Sequence, residues 1–274
     1  MYSKFNIELN DDQKEYFNRY YEIGKKIFDD NKKKVHCGLR KHICDEDTLD
    51  GTSISEEWFP SEIKSDIFIS HSHKDEDLAI SIVGWLSEVF GLDGFIDSMV
   101  WGYSNDLLRL IDNEYCSNGE NSYNYDNRNF STSHVHMMLS TSISKMIDKS
   151  ESVFFINTPN SISVSKNIKR VHSTLSPWIY FELEMVKRLR RKSNYGFGIE
   201  IINEQSIMNF EKRINEKSLD VEYEVSLKDM VKLSDNHLKK WENNVKKIQL
   251  YNPIESIREL YKIGKELKLK GEIR

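Results

Sequence analysis

In the segment SPWIYFELEMVKRLRRK (176–192) a glutamate, Glu182, stands where a helix would place an apolar side chain. At about 100° per residue, Trp178, Met185 and Leu189 share its side of the helix. Glu184 lies about 200° away, with Arg188 four residues on as an ion-pair partner, so it has an ordinary surface explanation. Glu182 has none. A carboxylate inside an apolar stripe beside an indole is costly unless it is paired or kept for chemistry. Two readings stay open on pattern alone: a buried glutamate satisfied by backbone amides or a nearby Lys or Arg, or a functional carboxylate.

Other polar groups fall where chemistry could use them. Ser70, His71 and Lys74 follow the apolar run DIFIS (66–70). Backbone amides there, with Lys74, could hold phosphates, or the segment could be a solvated turn and helix cap. It is not a glycine-rich phosphate fingerprint, because no GxGxxG or Walker A pattern occurs. Asp97 ends the run GFID, where it could orient a site or cap a loop. Trp101 and Tyr103 follow, and could stack on a substrate ring or anchor the loop by packing. His134 and His136 are two apart, which on a helix turns them about 200° from each other and disfavours a shared metal. His134 is the candidate to line a pocket, with capping as its alternative. His36, Cys37, His42 and Cys44 do not have a zinc spacing, so no metal site is expected. Tyr123 and Tyr125 read as surface or oligomer contacts, and RLRRK (188–192) as a solvated helix end.

The elements that must position these groups follow from periodicity. Residues 10–35 read as a helix, with Tyr16, Tyr20, Ile23 and Ile27 at helical spacing. DIFIS reads as a strand buried on both faces. Leu78, Ile82, Trp85 and Val89, with Ala79, Val83, Leu86 and Phe90, make the next helix broadly apolar. GLDGFIDS (91–98) supplies a second strand, VWGYSN (100–105) a loop, and DLLRLIDNEYC (106–116) a short helix. Residues 117–132 read as a polar insertion, and 133–149 as a helix with Val135, Leu139, Ile143 and Met146 on one face. SVFFINT (152–158) is a third strand. Ser176-Pro177 fits an N-cap and first helical position. FGIEII and VEYEVSL are further candidate strands, and 235–250 and 254–268 further helices. The alternation predicts a doubly wound α/β sheet, with ligands at the carboxyl ends of the strands.

Composition narrows the function classes. The chain has 274 residues, 30% of them charged, with a net charge of −5. No overall positive field attracts nucleic acid. No apolar run approaches the roughly 20 residues that span a bilayer, and the first residues lack a signal-peptide core, so a cytoplasmic protein without a membrane partner is expected. Three cysteines do not make a disulfide framework.

Three segments together resemble a TIR (Toll/interleukin-1 receptor) domain of the bacterial type. DIFISHSHKDEDLA resembles the opening strand and polar loop of that family. GFIDSMVWGYS resembles its second strand and following loop, with Asp97 as the strand-end acid. SVFFINT followed by SPWIYFEL resembles its third strand and the Ser-x-Trp-x-x-x-Glu-Leu helix start. The likeness covers about 66–192 and is nearest to stand-alone proteins of antiphage defence, including the Thoeris type. It implies a flavodoxin-like parallel sheet with helices on both faces, carrying helical additions: an extension over 1–64, a TIR domain over 65–234 and helices over 235–274.

The resemblance also implies cleavage of the nicotinamide–ribose bond of NAD+, with Glu182 catalytic. NAD+ is then substrate rather than cofactor. Ser70, His71, Lys74, Asp97, Trp101, Tyr103, His134 and Trp178 are the candidate substrate-binding residues, with Trp101 and Tyr103 placed to stack on nicotinamide or adenine. Homo-oligomers, and a separate effector answering to an ADP-ribose-derived product, are the expected partners. Two alternatives are a non-enzymatic TIR–TIR interaction module and an enzyme similar to nucleoside deoxyribosyltransferases, which also break N-glycosidic bonds with a carboxylate.

Overall fold

The computed structural model describes residues 3–32, 43–45, 48–59, 65–119, 122–164, 172–188, 221–248 and 252–269. In chain order these form β1 (Ser3–Glu8), α1 (Asp11–Asn18), α2 (Tyr21–Lys32), β2 (Ile43–Asp45), β3 (Thr48–Leu49), α3 (Gly51–Trp58), β4 (Ile67–Ser70), α4 (Glu76–Phe90), β5 (Gly94–Ile96) and α5 (Ser98–Ile111). A π-helical turn (Asp112–Cys116) leads to β6 (Ser117–Gly119), β7 (Ser122–Tyr123), α6 (Tyr125–Lys149), β8 (Ser152–Asn157), β9 (Ser163–Val164), β10 (His172–Thr174) and α7 (Pro177–Arg188). The chain continues through β11 (Tyr223–Glu224), β12 (Val231–Leu233), α8 (Asp235–Lys247) and α9 (Pro253–Leu269).

Five strands form the main sheet in the order β12-β1-β8-β4-β5, and every neighbouring pair is parallel. The apolar runs IFIS and SVFFI are buried along their whole length, as strands covered on both faces must be. The protein is thus α/β with a parallel sheet, compatible with a flavodoxin-like fold. Strands β5, β4 and β8 stand as 2-1-3 of such a sheet.

The place beside β8 is filled from the other end of the chain. β1 pairs with β8 through Phe5↔Phe154 and with β12 through Phe5↔Val231. This corrects the expected all-helical extension over 1–64: its first described element is a strand inside the sheet. Lys4, Phe5, Asn6, Ile7 and Glu8 alternate polar and apolar, a short strand pattern that the helical reading overlooks, and pairing with distant strands buries it. The helix expected over 10–35 is two helices. Asn10 opens α1 with a capping box to Gln13. α2 then crosses α4 at two glycines. A Cβ on Gly84 would lie 2.2 Å from the Tyr20 carbonyl oxygen, and one on Gly24 1.9 Å from that of Ile80. Only glycine permits that approach.

Three other expectations change. VWGYSN is helix, not loop, because Met99, Val100, Tyr103, Leu107 and Ile111 form a buried stripe that overrides the turn signals of Gly102, Ser104 and Asn105. Within the polar insertion β6 and β7 pair antiparallel, and α6 begins at Tyr125 rather than near 133, capped by the Asn124 side chain accepting from the Asn127 N–H at 2.9 Å. VEYEVSL contributes only β11, which joins β10 and β9 in a separate antiparallel sheet. FGIEII, His36, Cys37, His42 and the side chain of Cys44 lie outside the described residues.

Among the described residues a large core joins both ends of the chain, and Phe155, Ile162, Ile179, Leu183, Val225 and Met230 form a second, smaller cluster. Phe5 and Phe17 share the large core with Trp85, Phe154, Trp241 and Leu260, so the terminal segments complete the same interior as the middle of the chain. Among the described residues, no helix is long and apolar enough to cross a membrane.

Candidate active site

The chain leaves β4 toward β5 on one side, while β8 stands on the other. Their divergence makes the loops after β4 and β8 the rim where doubly wound sheets bind ligands. Ser70 is the last residue of β4, and His71 and Ser72 follow it. Asp97 follows β5, and its side chain makes no cap bond to α5, which removes the capping alternative. Helix α7 begins as its residues dictate, with Ser176 Oγ accepting from the Ile179 N–H at 3.3 Å. That start turns Ile179, Glu182, Leu183 and Val186 inward.

Glu182 has 0% exposure. Ser70 Oγ donates to its Oε2 at 2.5 Å. Asp97, 3% exposed, stands beside it, and His71 Nδ1 lies 3.0 Å from Asp97 Oδ1. Four polar side chains from three elements therefore meet in the interior. They are not mutually satisfied. Glu182 Oε1, Asp97 Oδ1, both ring nitrogens of His71 and the neighbouring Ser98 Oγ have no partner with hydrogen-bond geometry. The His71–Asp97 contact is thus a close charge pair rather than an aligned hydrogen bond. Native interiors rarely leave buried polar atoms orphaned, and five at one place mark it as unusual.

The electrostatics follow from that crowding. Burial raises the Glu182 pKa well above the ordinary 4.5, and the neighbouring Asp97 raises it further; the Ser70 hydroxyl opposes them. Burial alone would lower the His71 pKa, but Asp97, the Ile69 carbonyl and Glu76 outweigh it, and the imidazole stands raised. The rim is strapped shut nearby. Asp75, in the turn after β4, accepts from Thr158 Oγ1 at 2.5 Å and Asn160 Nδ2 at 2.8 Å, both after β8.

The sequence candidates divide on this geometry. Ser70, His71, Asp97 and Glu182 come together, and Trp178 sits one helical turn before Glu182, half-buried. Lys74 is exposed outside the cluster. Tyr103 is turned into the core, so it corrects the expectation of a stacking residue in a loop: on α5 it belongs to the apolar stripe. The side chain of Trp101 lies outside the described residues. His134 is exposed and packs on Phe130, with ring centroids 4.5 Å apart, away from the cluster.

The histidine that sequence reasoning passed over is His136, whose ring meets Trp178 edge-on at 5.7 Å. It keeps an exposed edge, yet enough protein surrounds it to hold its pKa below the ordinary value. The opposed directions of His134 and His136 were visible in their spacing; which of them faces α7 depends on how α6 docks.

Among the described residues, no group of three His, Cys, Asp or Glu side chains is placed to hold a metal. A cleft of about 330 Å³ lies elsewhere, between α1, α4 and α8, and none of its lining residues belongs to the Glu182 cluster. No protein-family model, curated protein or solved structure matches this chain.

Proposed function

We propose that this protein cleaves the nicotinamide–ribose bond of NAD+, with Glu182 as the central carboxylate. The observation that carries the reading is a fully buried glutamate at the ligand rim of a parallel sheet. It is held by a single hydroxyl, with one oxygen unpartnered. A glutamate kept only for stability would be surrounded by donors; this one is in reserve. The resemblance of the SPWIYFEL and DIFISHSHKDE segments to TIR domains supports the substrate.

The chemistry asks little of the protein beyond charge. When the C1′–N1 bond breaks, its electrons go to the pyridinium nitrogen, and nicotinamide leaves neutral without a proton. Positive charge develops on the ribose, as in glycoside cleavage. A carboxylate in a low-dielectric interior stabilises that charge and binds ribose hydroxyls. Water then captures the sugar and loses a proton, or a nucleophile of the same molecule closes a ring; an outside acceptor gives a conjugate. In the conformation described, Glu182 is sealed, so the packing around it must open before substrate reaches it. Assembly into a homo-oligomer, and an effector that answers to the product, fit such a silent resting state.

The test is mass-spectrometric product analysis after incubation with NAD+, with nucleosides in parallel, using protein alone and protein in lysates of phage-infected cells. Wild type releases nicotinamide, and Glu182→Gln releases at least roughly 10²-fold less. Equal release by the variant removes Glu182 from the chemistry. Cleavage of nucleosides but not NAD+ selects the deoxyribosyltransferase-like alternative.

A second reading has its own observation. Phe130 (70% exposed) and Met137 (41%) share an exposed side of α6, with His134 packed on Phe130. A face of that kind suits a non-enzymatic interaction module in which Glu182 is structural. That reading expects Glu182→Gln to keep full biological activity.

A further inference from the structure

We infer that Asp97 is a positioning residue that holds Glu182 in its uncharged, protonated form at rest, with His71 balancing the charge of Asp97, so that entry of a cationic substrate drives one proton out of the site. This rests on the proposed function for the identity of the cation, but not for the state of the resting protein. Two carboxylates side by side have no hydrogen to share. Glu182 Oε1 and Asp97 Oδ1 both stand without a hydrogen-bond partner. A proton on Glu182 supplies the missing donor, and Ser70 already fills the remaining role by donating to Oε2 at 2.5 Å. His71, 3.0 Å from Asp97, balances the charge left on Asp97. The closed cluster then holds one cation, one anion and one neutral acid. That is a tolerable inventory for groups at most 4% exposed, whereas two adjacent anions are not.

The groups that face Glu182 are few and fix the sign of each change. Ser70 at the end of β4 and Asp97 after β5 act on Glu182 directly; His71, after β4, acts through Asp97, and Glu76 at the start of α4 acts on His71. Asp97 disfavours the Glu182 carboxylate, and His71 screens Asp97. Removing Asp97's charge therefore lowers the pH at which Glu182 ionises, and removing His71's charge raises it. When a pyridinium ring arrives, its positive charge favours the carboxylate. Glu182 then loses its proton to bulk water, becoming the anion that the developing ribose cation needs. Substrate binding and proton release are linked, and binding weakens as pH falls.

The decisive experiment uses the full chain without substrate. Glu182 is followed by carbon-13 NMR of its side-chain carboxyl, assigned by the signal lost in Glu182→Gln. The wild-type midpoint lies above the ordinary carboxyl value of 4.5. Asp97→Asn moves it down and His71→Gln moves it up, each by roughly one pH unit or more. A looser fold would move both the same way, toward the ordinary value. A wild-type midpoint at or below 4.5, or shifts of the same sign in two folded variants, overturns the inference, whatever the enzyme does. If a variant fails to fold, the wild-type midpoint still decides.

The second measurement is the pH dependence of nicotinamide release. KM rises toward low pH while kcat changes less, and the acid limb moves with the NMR midpoints. An acid limb indifferent to both variants, beside shifted midpoints, overturns the linkage to substrate. Absence of nicotinamide release under every condition, beside the expected midpoints, overturns the NAD+ reading and leaves the resting proton in place.

Discussion

Two glutamates of this protein are buried on apolar helix faces beside tryptophans, and their surroundings have opposite effects. Glu242 lies on α8 among Leu238, Trp241 and Val245, and is 7% exposed. Its carboxylate accepts from Tyr16 Oη at 2.9 and 2.7 Å, from Trp85 Nε1 at 3.3 Å and from Lys246 Nζ at 2.5 Å. Burial alone would raise its pKa, but Lys246, Tyr16 and Trp85 outweigh it, and Glu242 ionises below the ordinary value. Glu182 has one donor and an acidic neighbour, and ionises well above it. The same residue type in a similar helix pattern is a satisfied strut in one place and an unspent charge in the other. The donors that reach the carboxylate make the difference, not burial: Lys246 from the next turn of α8, and Tyr16 and Trp85 from α1 and α4.

Exchanging each glutamate breaks the comparison most sharply. Glu242→Ala strands the Tyr16 hydroxyl, the Trp85 N–H and the Lys246 ammonium, and costs about 2–3 kcal/mol in urea unfolding. Glu182→Gln goes the other way. The amide accepts from Ser70 and donates to Asp97 without any charge to bury, so the fold gains on the order of 1 kcal/mol at neutral pH while nicotinamide release is lost. A loss of stability on Glu182→Gln places that residue with Glu242 as a structural group.

The pH dependence sharpens the contrast. Glu182's native pKa is raised, so between 4.5 and the native value the folded state binds more protons than the unfolded, and stability falls as pH rises through that window. Glu242's native pKa is lowered. The stability it contributes is present above the ordinary carboxyl value and is lost as pH falls through the native one. Thermal unfolding of wild type, Glu182→Gln and Glu242→Gln across pH 3–8 is therefore expected to give differences from wild type with opposite pH trends. Parallel trends would erase the distinction. The smallest effect belongs to Ser70→Ala. Losing the one donor raises Glu182's pKa a little further, and the acid limb of nicotinamide release shifts upward by less than about one pH unit.

Much of this was legible in residues taken singly. The inward Glu182, the Ser176 cap, the two-faced burial of IFIS and SVFFI, and the α6 stripe of Val135, Leu139, Ile143 and Met146 follow from spacing and helix or strand geometry, because local periodicity reports which side faces the interior. Tyr103 and His134 misled because type and neighbourhood cannot say where a helix docks. Tyr103 turned to the core and His134 to solvent, leaving His136 against Trp178. The six residues of β1 alternate polar and apolar over Lys4–Glu8, so a strand was legible there, but its place between β8 and β12 is decided by partners far along the chain.

The sequence by itself determined that an acid would be buried next to an indole at the start of α7, since 3.6 residues per turn leave no other side for it. Only the tertiary structure decided what that acid meets. Three separate elements deliver Ser70, His71, Asp97 and Glu182 to one point, while α1, α4 and α8 deliver Tyr16, Trp85 and Lys246 to Glu242. A carboxylate's charge state is set by groups within a few ångströms in space, and periodicity along one helix records only those on that helix, such as Lys246 four residues after Glu242.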